Sequence, residues 1–270
     1  MYFCSQRKNI ELMKAKELIL LALAPVVVCC TGRQGSAESE TESSWATTSL
    51  NIKTPIAPDD TLCYQIKIEL DTLSADNSLA RNLSSAICEN LLPERNETSV
   101  GSAMTALGDS LETEWKEIIA DMYDPESDFN DMFQYHFAVS GKPLDNGRDD
   151  ILSYEMTTDC YLGGAHGSYM VNYYNFDMNT GKRLDIKDIV PADKEQAVLK
   201  AMEEQLCKDF DATDLPDLQS KTGITALGDL YLTNNFRFKG DSIQFLFNQY
   251  EIAPYAAGLI HITIPSPAIP

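Results

Sequence analysis

A chain of 270 residues with 44% hydrophobic and 23% charged residues is long enough to bury a sizeable core in one or two domains. Its charge is less ordinary, with 21 Lys and Arg against 41 Asp and Glu and a formal net charge of -20. Nucleic acids and anionic lipid headgroups are held by clustered basic side chains, so this balance excludes them as expected partners and favours a basic one.

In chain order, Met1 to Leu12 make a poor targeting signal because Glu11 lies close to the apolar run, whereas a start at Met13 gives Met-Lys-Ala-Lys-Glu followed by an uncharged stretch from Leu18 to Val28. A basic beginning and an apolar run of that length read as a signal peptide rather than a membrane-spanning helix. Cys29-Cys30 at its end is similar to a bacterial lipobox, with Cys30 as the lipidated residue; an ordinary cleaved signal is the alternative. Residues 1–30 are thus expected as a leader and 31–60 as a flexible tether, rich in Gly, Ser, Thr and Glu and closed by Pro55 and Pro58.

The body opens with period-two alternation from Leu62 to Leu70, the mark of a half-buried strand. Asn77 caps a predicted helix with Leu79, Leu83, Ala86, Ile87 and Leu91 on one face, which Pro93 stops. A second helix places Met104, Leu107, Leu111, Trp115, Ile118, Ile119 and Met122 at spacings of three and four, and the carboxylates from Asp124 to Asp131 read as a solvated turn. Strands follow at Met132 to Ser140, Ile151 to Thr158 and Tyr169 to Asp177. Leu184 to Val190 then leads into a helix with Val198, Met202, Leu206 and Phe210 on one face, and Pro216 lies in a polar loop running to Gly223. The last strands are Tyr231 to Lys239, Ser242 to Asn248 and Leu259 to Ile264. Short spacers between these strands favour hairpins. The expected class is α+β, a mostly antiparallel sheet with packed helices in two sequential subdomains, 61–150 and 151–270.

Between two strands stands Tyr161-Leu-Gly-Gly-Ala-His-Gly167, a predicted tight corner. Two readings stand: Gly163, Gly164 and Gly167 make the turn while His166 caps it, or the loop presents Tyr161 and His166 to a ligand. Tyr250-Glu-Ile-Ala-Pro-Tyr-Ala-Ala-Gly258 has a similar ambiguity. Ala256, Ala257 and Gly258 leave little side chain, while the rings of Tyr250 and Tyr255 suit either interior capping or an amphipathic binding surface. Of the seven cysteines, four lie beyond the leader: Cys63, Cys88, Cys160 and Cys207. They allow two disulfides or a set of reduced core thiols, and no C-x-x-C pair calls for a metal.

Three stretches together, Tyr161 to Gly167, Leu184-Asp-Ile-Lys-Asp-Ile-Val190 and Tyr250 to Gly258, resemble the envelope domain shared by RsiV-type anti-sigma factors and PdaC-type peptidoglycan deacetylases, a module of unknown function. The resemblance covers about Cys160 to Pro265, and 61–150 is similar to the smaller domain that precedes it in PdaC-type proteins. It implies an extracytoplasmic binding or sensing module whose ligand is a basic, lysozyme-like protein or a peptidoglycan glycan. The expected address is the bacterial cell envelope, on a periplasmic or outer-membrane face, in a Bacteroidetes-type lipoprotein held by its lipid alone. The catalytic domain of the deacetylases has no counterpart in this length. The candidate ligand-binding residues are Tyr161, Gly163, Gly164, His166, Gly167, Tyr250 and Tyr255.

No catalytic signature accompanies them: G-x-S-x-G, H-E-x-x-H, P-loop and dinucleotide-binding patterns are all missing from the sequence. No catalytic residue, cofactor or metal is therefore expected. His136 and His261, each within a strand, read as structural histidines. The competing expectation is a cell-wall polymer hydrolase or deacetylase-associated enzyme in which His166 and a nearby carboxylate act as acid and base.

Overall fold

The computed structural model of the protein describes residues 44–56 and 62–265. The expected leader, its lipidated Cys30 and the start at Met13 lie outside these residues. Two sheets and five α-helices make up the described chain, an α+β fold in which all strand pairs but one are antiparallel.

The tether expected to run to residue 60 is interrupted by a strand. Trp45–Pro55 is strand β1, paired along its whole length with β2, Cys63–Leu73, from Trp45 opposite Leu73 to Pro55 opposite Cys63. The stretch is polar, but Thr48, Leu50, Ile52 and Thr54 share one half-buried face, and Leu50 and Ile52 pack on the core. Only the partner strand makes that weak period-two pattern worth folding. In β2, Tyr64, Ile66, Ile68 and Leu70 are fully buried, each contributing about 1.5–3 kcal/mol on transfer from water.

Helices α1 (Ser78–Leu91) and α2 (Val100–Met122) cover that face. The Asn77 side chain accepts from the Ala80 N–H to start α1, as the capping reading predicts, and Ser99 accepts from Ser102 to start α2. Trp115 of α2 stacks on Tyr64, ring centroids 5.4 Å apart, and its indole N–H donates to the Phe133 carbonyl at 3.1 Å. That bond anchors a short 3₁₀ turn, Asn130–Phe133, so the next strand begins later than Met132: β3 is His136–Leu144. The helix pair forms the crossover that lets β3 lie parallel to β2. Antiparallel β4 (Ile151–Tyr161) and β5 (Ser168–Asp177) follow, and the two-residue β6 (Arg183–Leu184) completes the six-stranded sheet. A division at 150/151 falls between the paired strands β3 and β4, so the two sheets rather than that position organise the chain.

After a single-turn helix α3, Ile186–Ile189, come α4 (Glu195–Asp209) and α5 (Leu215–Thr222). The polar loop expected up to Gly223 is therefore a helix. Asp214 accepts from the Asp217 N–H, Pro216 sits in the first turn where its missing donor costs nothing, and Gly223 closes the helix at φ 74°. Phe210, expected on the buried face of α4, caps its end and is 43% exposed. The second sheet is β7 (Phe236–Lys239), β8 (Ser242–Phe247) and β9 (Ile260–Pro265), shorter at its start than the expected Tyr231. Val198, Met202, Leu206 and Leu218 pack against Phe236, Phe245, Phe247 and Ile262 in its core. All four cysteines among the described residues, Cys63, Cys88, Cys160 and Cys207, are free, and burial pushes the Cys160 thiol up to about 11, which keeps it protonated.

Candidate functional site

The two sheets meet along β5, and amide side chains make the join. Asn248 accepts from the Val171 N–H at 2.8 Å and donates to the Val171 carbonyl at 3.1 Å. Asn235 donates to the same carbonyl and accepts from the Tyr173 N–H, both at 2.8 Å, while Asn175 donates to the Phe236 carbonyl at 2.7 Å. Gln249 takes the Tyr169 N–H at 3.3 Å. An edge strand's open backbone groups thus find partners on the second sheet instead of another strand. Val171, Tyr173 and Leu246 form a small apolar core beneath them.

This seam brings two loops together. On the large sheet, the β4–β5 corner turns at Gly163 and Gly164, whose φ values of 81° and 95° other residues reach only with strain. Gly167 serves a close approach, because a Cβ there would stand 2.8 Å from the Cys160 carbonyl oxygen. On the small sheet, the loop after β8 runs through Tyr250 to a 3₁₀ turn, Tyr255–Ala257, begun by Pro254. Tyr250 has φ 68°, a left-handed conformation of the kind that a fold sustains at functional positions.

The predicted residues His166, Tyr250 and Tyr255 meet at that point. The imidazole stacks on the Tyr255 ring with centroids 3.9 Å apart and an interplanar angle of 21°. Tyr250 lies 5.8 Å from Tyr255 and 6.3 Å from His166 by ring centroids, and its hydroxyl is 3.1 Å from His166 Nε2. His166 Nδ1 is 2.9 Å from the Gly167 carbonyl. A carbonyl only accepts, so this pairing assigns the proton to Nδ1 and leaves Nε2 to accept from the tyrosine hydroxyl. His166 is exposed, Tyr250 is 48% exposed, and Tyr255 is half-buried. Beside them Glu251 is exposed as a residue, yet burial of its carboxyl raises its pKa, partly offset by bonds from Asn248 and Tyr231.

Tyr161 stands apart from this cluster. Its hydroxyl donates to the Gly164 carbonyl at 3.0 Å, bracing the corner, while its ring stacks on His136 with centroids 6.4 Å apart. His136, expected as a structural histidine, is exposed at the start of β3, 3.7 Å from an Asp159 carboxylate oxygen. Tyr161 and His136 line an open hollow of about 610 Å³ with Asp128, Phe129, Asp131, Met132 and Gln134. Sequence reasoning missed the asparagines of the seam and the exposed Phe129. Asparagines beside strands read as turn formers, and an aromatic in an acidic turn carries no periodic signal.

Among the described residues no group of three or more His, Cys, Asp or Glu gathers as metal ligands, and no helix is long and apolar enough to cross a membrane. A search of the curated proteins finds no match. Among solved structures, the chain is similar to a member of the DUF3298 family from Bacteroides fragilis, with TM-score 0.69 and 23% identity over 83% of this chain and 90% of that one. A DUF3298 family protein from Pseudomonas aeruginosa shares 16% identity at TM-score 0.55, over 84% of this chain and 93% of that one. Identities this low speak for a shared fold. A family model described as a protein of unknown function (DUF3298) matches residues 187–266, a span that holds Tyr250 and Tyr255 but not the glycine corner. The chain thus carries a DUF3298 domain at residues 187–266, within a fold that extends well to the N-terminal side of it.

Proposed function

We propose that this chain is a non-catalytic binding module of the RsiV/PdaC type, tethered to the bacterial cell envelope through a lipid on Cys30, that takes a peptidoglycan-like glycan on the His166, Tyr250 and Tyr255 cluster. One observation carries the reading: two loops 84 positions apart converge through the Tyr250–His166 contact on a stacked set of rings in which His166 and Tyr250 are exposed and Tyr255 is half-buried. Amphipathic rings of this kind offer sugars an apolar face and hydrogen-bonding edges together. The two His166 nitrogens meet the Gly167 carbonyl and the Tyr250 hydroxyl, and neither partner is the carboxylate with which the hydrolase alternative pairs this histidine.

The test is retention on purified peptidoglycan. The full chain is retained, Tyr250→Ala and His166→Ala each reduce retention about tenfold, and His136→Ala does not. No retention of the wild type, or equal retention of every variant, overturns the glycan assignment. Turnover of a peptidoglycan fragment that is lost in His166→Ala would instead favour the hydrolase. Mass spectrometry of the native product tests the lipid on Cys30. The excess of acidic residues, 41 against 21 basic, favours a second reading in which the ligand is a lysozyme-like basic protein.

A further inference from the structure

The hollow at the end of α2 lies apart from the His166 cluster, and its surroundings are unusual in both polarity and charge. Phe129 is 77% exposed, Met122 at the end of α2 is 60% exposed and Met132 is 40% exposed. Single exposed apolar residues are ordinary, but three within eleven positions, with Phe129 and Met132 both lining one hollow, are not. Their exposure does not come from a slack loop. The Asp124 side chain accepts from the Glu126 N–H at 3.0 Å, the Asp124 carbonyl accepts from the Asn130 side chain at 2.7 Å, and Ser127 Oγ accepts from the Phe129 N–H at 3.2 Å. Trp115 meanwhile ties Phe133 into the core, so one phenylalanine of this turn is buried and the other is held outward.

The formally charged side chains of this segment have one sign. Between Lys116 and Lys142 the sequence holds Glu117, Asp121, Asp124, Glu126, Asp128 and Asp131 and no Lys or Arg. Asp128 and Asp131 line the hollow itself, beside Phe129 and Met132. Exposed apolar side chains interleaved with carboxylates complement a segment with a hydrophobic face flanked by Lys and Arg, and they repel anionic membranes. The methionines suit such a surface, since their unbranched thioethers adapt to differing apolar partners.

We propose that the Phe129–Met132 hollow docks a cationic amphipathic segment of a partner protein. This deepens the reading of the chain as a binding module and gives the basic-partner arm of that reading a place, separate from the glycan cluster. The probe is a fluorescein-labelled 14-residue peptide of Leu and Lys patterned for one apolar helical face, titrated with the full chain by fluorescence anisotropy. Its counterpart with Glu in place of Lys is the control.

The Lys peptide binds, and its affinity falls as salt rises from 50 to 500 mM. Phe129→Ser weakens it about tenfold or more, and the double variant Asp128→Asn/Asp131→Asn does the same, as expected for an apolar anchor and the carboxylates beside it. Both are surface changes, and unaltered thermal unfolding shows that each variant is folded. Tyr250→Ala leaves peptide binding unchanged, so failure of the glycan assignment and failure of this one are separable. The proposal is overturned if the Lys peptide does not bind, if the Glu peptide binds as well, or if neither set of variants weakens binding. Sedimentation showing a dimer that Phe129→Ser dissociates also overturns it, because a second copy of the chain would then be the occupant.

Discussion

Replacing Asn248 with Ala removes the side-chain acceptor of the buried Val171 N–H and so reports on what holds the two sheets together. Asn248 is 7% exposed and Val171 is 5% exposed. In the variant the Val171 N–H loses its 2.8 Å acceptor, while the Val171 carbonyl keeps the 2.8 Å bond from Asn235. Leaving one buried amide donor unpaired costs about 1–3 kcal/mol. The space left by the amide adds roughly 1 kcal/mol, so the expected loss is about 2–4 kcal/mol. Asn235→Ala similarly strips the acceptor from the Tyr173 N–H and leaves the Val171 carbonyl to Asn248. Only the double variant deprives that carbonyl of both donors, so its cost should exceed the sum of the singles by about 0.5–3 kcal/mol. Urea unfolding of the wild type, both singles and the double, followed by far-ultraviolet circular dichroism and by tryptophan fluorescence, measures these quantities. Single losses below about 0.5 kcal/mol, or strict additivity, would refute the claim that these amides stand in for a missing strand.

Gly163→Ala forces a left-handed residue and sets a methyl group 2.7 Å from the Tyr135 hydroxyl, so we expect a loss of about 1–3 kcal/mol in the same unfolding assay, whereas Gly164→Ala meets no atom within 4 Å and should cost only the backbone strain. Trp115→Phe keeps most of the ring stacked on Tyr64 but leaves the Phe133 carbonyl without its donor; we expect about 1–3 kcal/mol of destabilisation and faster proteolysis between Asp124 and Gln134. Glu251 has its pKa raised by burial, so its ionised form is disfavoured in the folded chain. The cost is present above the raised folded value and absent below the unfolded value of about 4.3. Glu251→Gln is therefore expected to melt higher than the wild type near pH 7, with the difference shrinking as the pH is lowered through the raised pKa towards pH 4; a difference independent of pH would count against that assignment.

Much of the fold was legible because its elements carry local signals strong enough to stand alone. The alternation from Tyr64 to Leu70 and the one-sided apolar face of α1 with its Asn77 cap both appear where the sequence puts them. Strand β1 was not legible: Leu50 and Ile52 among Thr, Ser and Asn become a strand only against β2, so the deciding term is tertiary. Pro216 was misread because a proline stops a helix from inside but starts one in its first turn, and only the Asp214 cap and the left-handed Gly223 separate the cases. At the candidate site, glycines flanked by strands announced the corner, and small residues around Tyr255 announced the second loop. Their convergence had no local signature, since it depends on Asn235 and Asn248 reaching β5 from another sheet.

That dependence says something about how this fold makes a surface. Neither loop alone presents more than part of the cluster: the corner of the large sheet supplies one imidazole, and the loop after β8 supplies two phenols. The rings become one surface because β5 remains an edge along Val171 to Tyr173, where a further strand would have displaced the asparagines. An extended ladder there would satisfy the same backbone groups with stronger geometry, but it would separate the corner from Tyr250. Side-chain amides fill two carbonyl and N–H roles at once while demanding only single positions, so the small sheet can approach at the angle the loops require. The left-handed Tyr250 fits this account, since its backbone strain is sustained next to Asn248 and Gln249, whose side chains fasten the start of the loop to β5. Stability and ring convergence are therefore properties of the same few bonds, and a substitution in the seam acts on both.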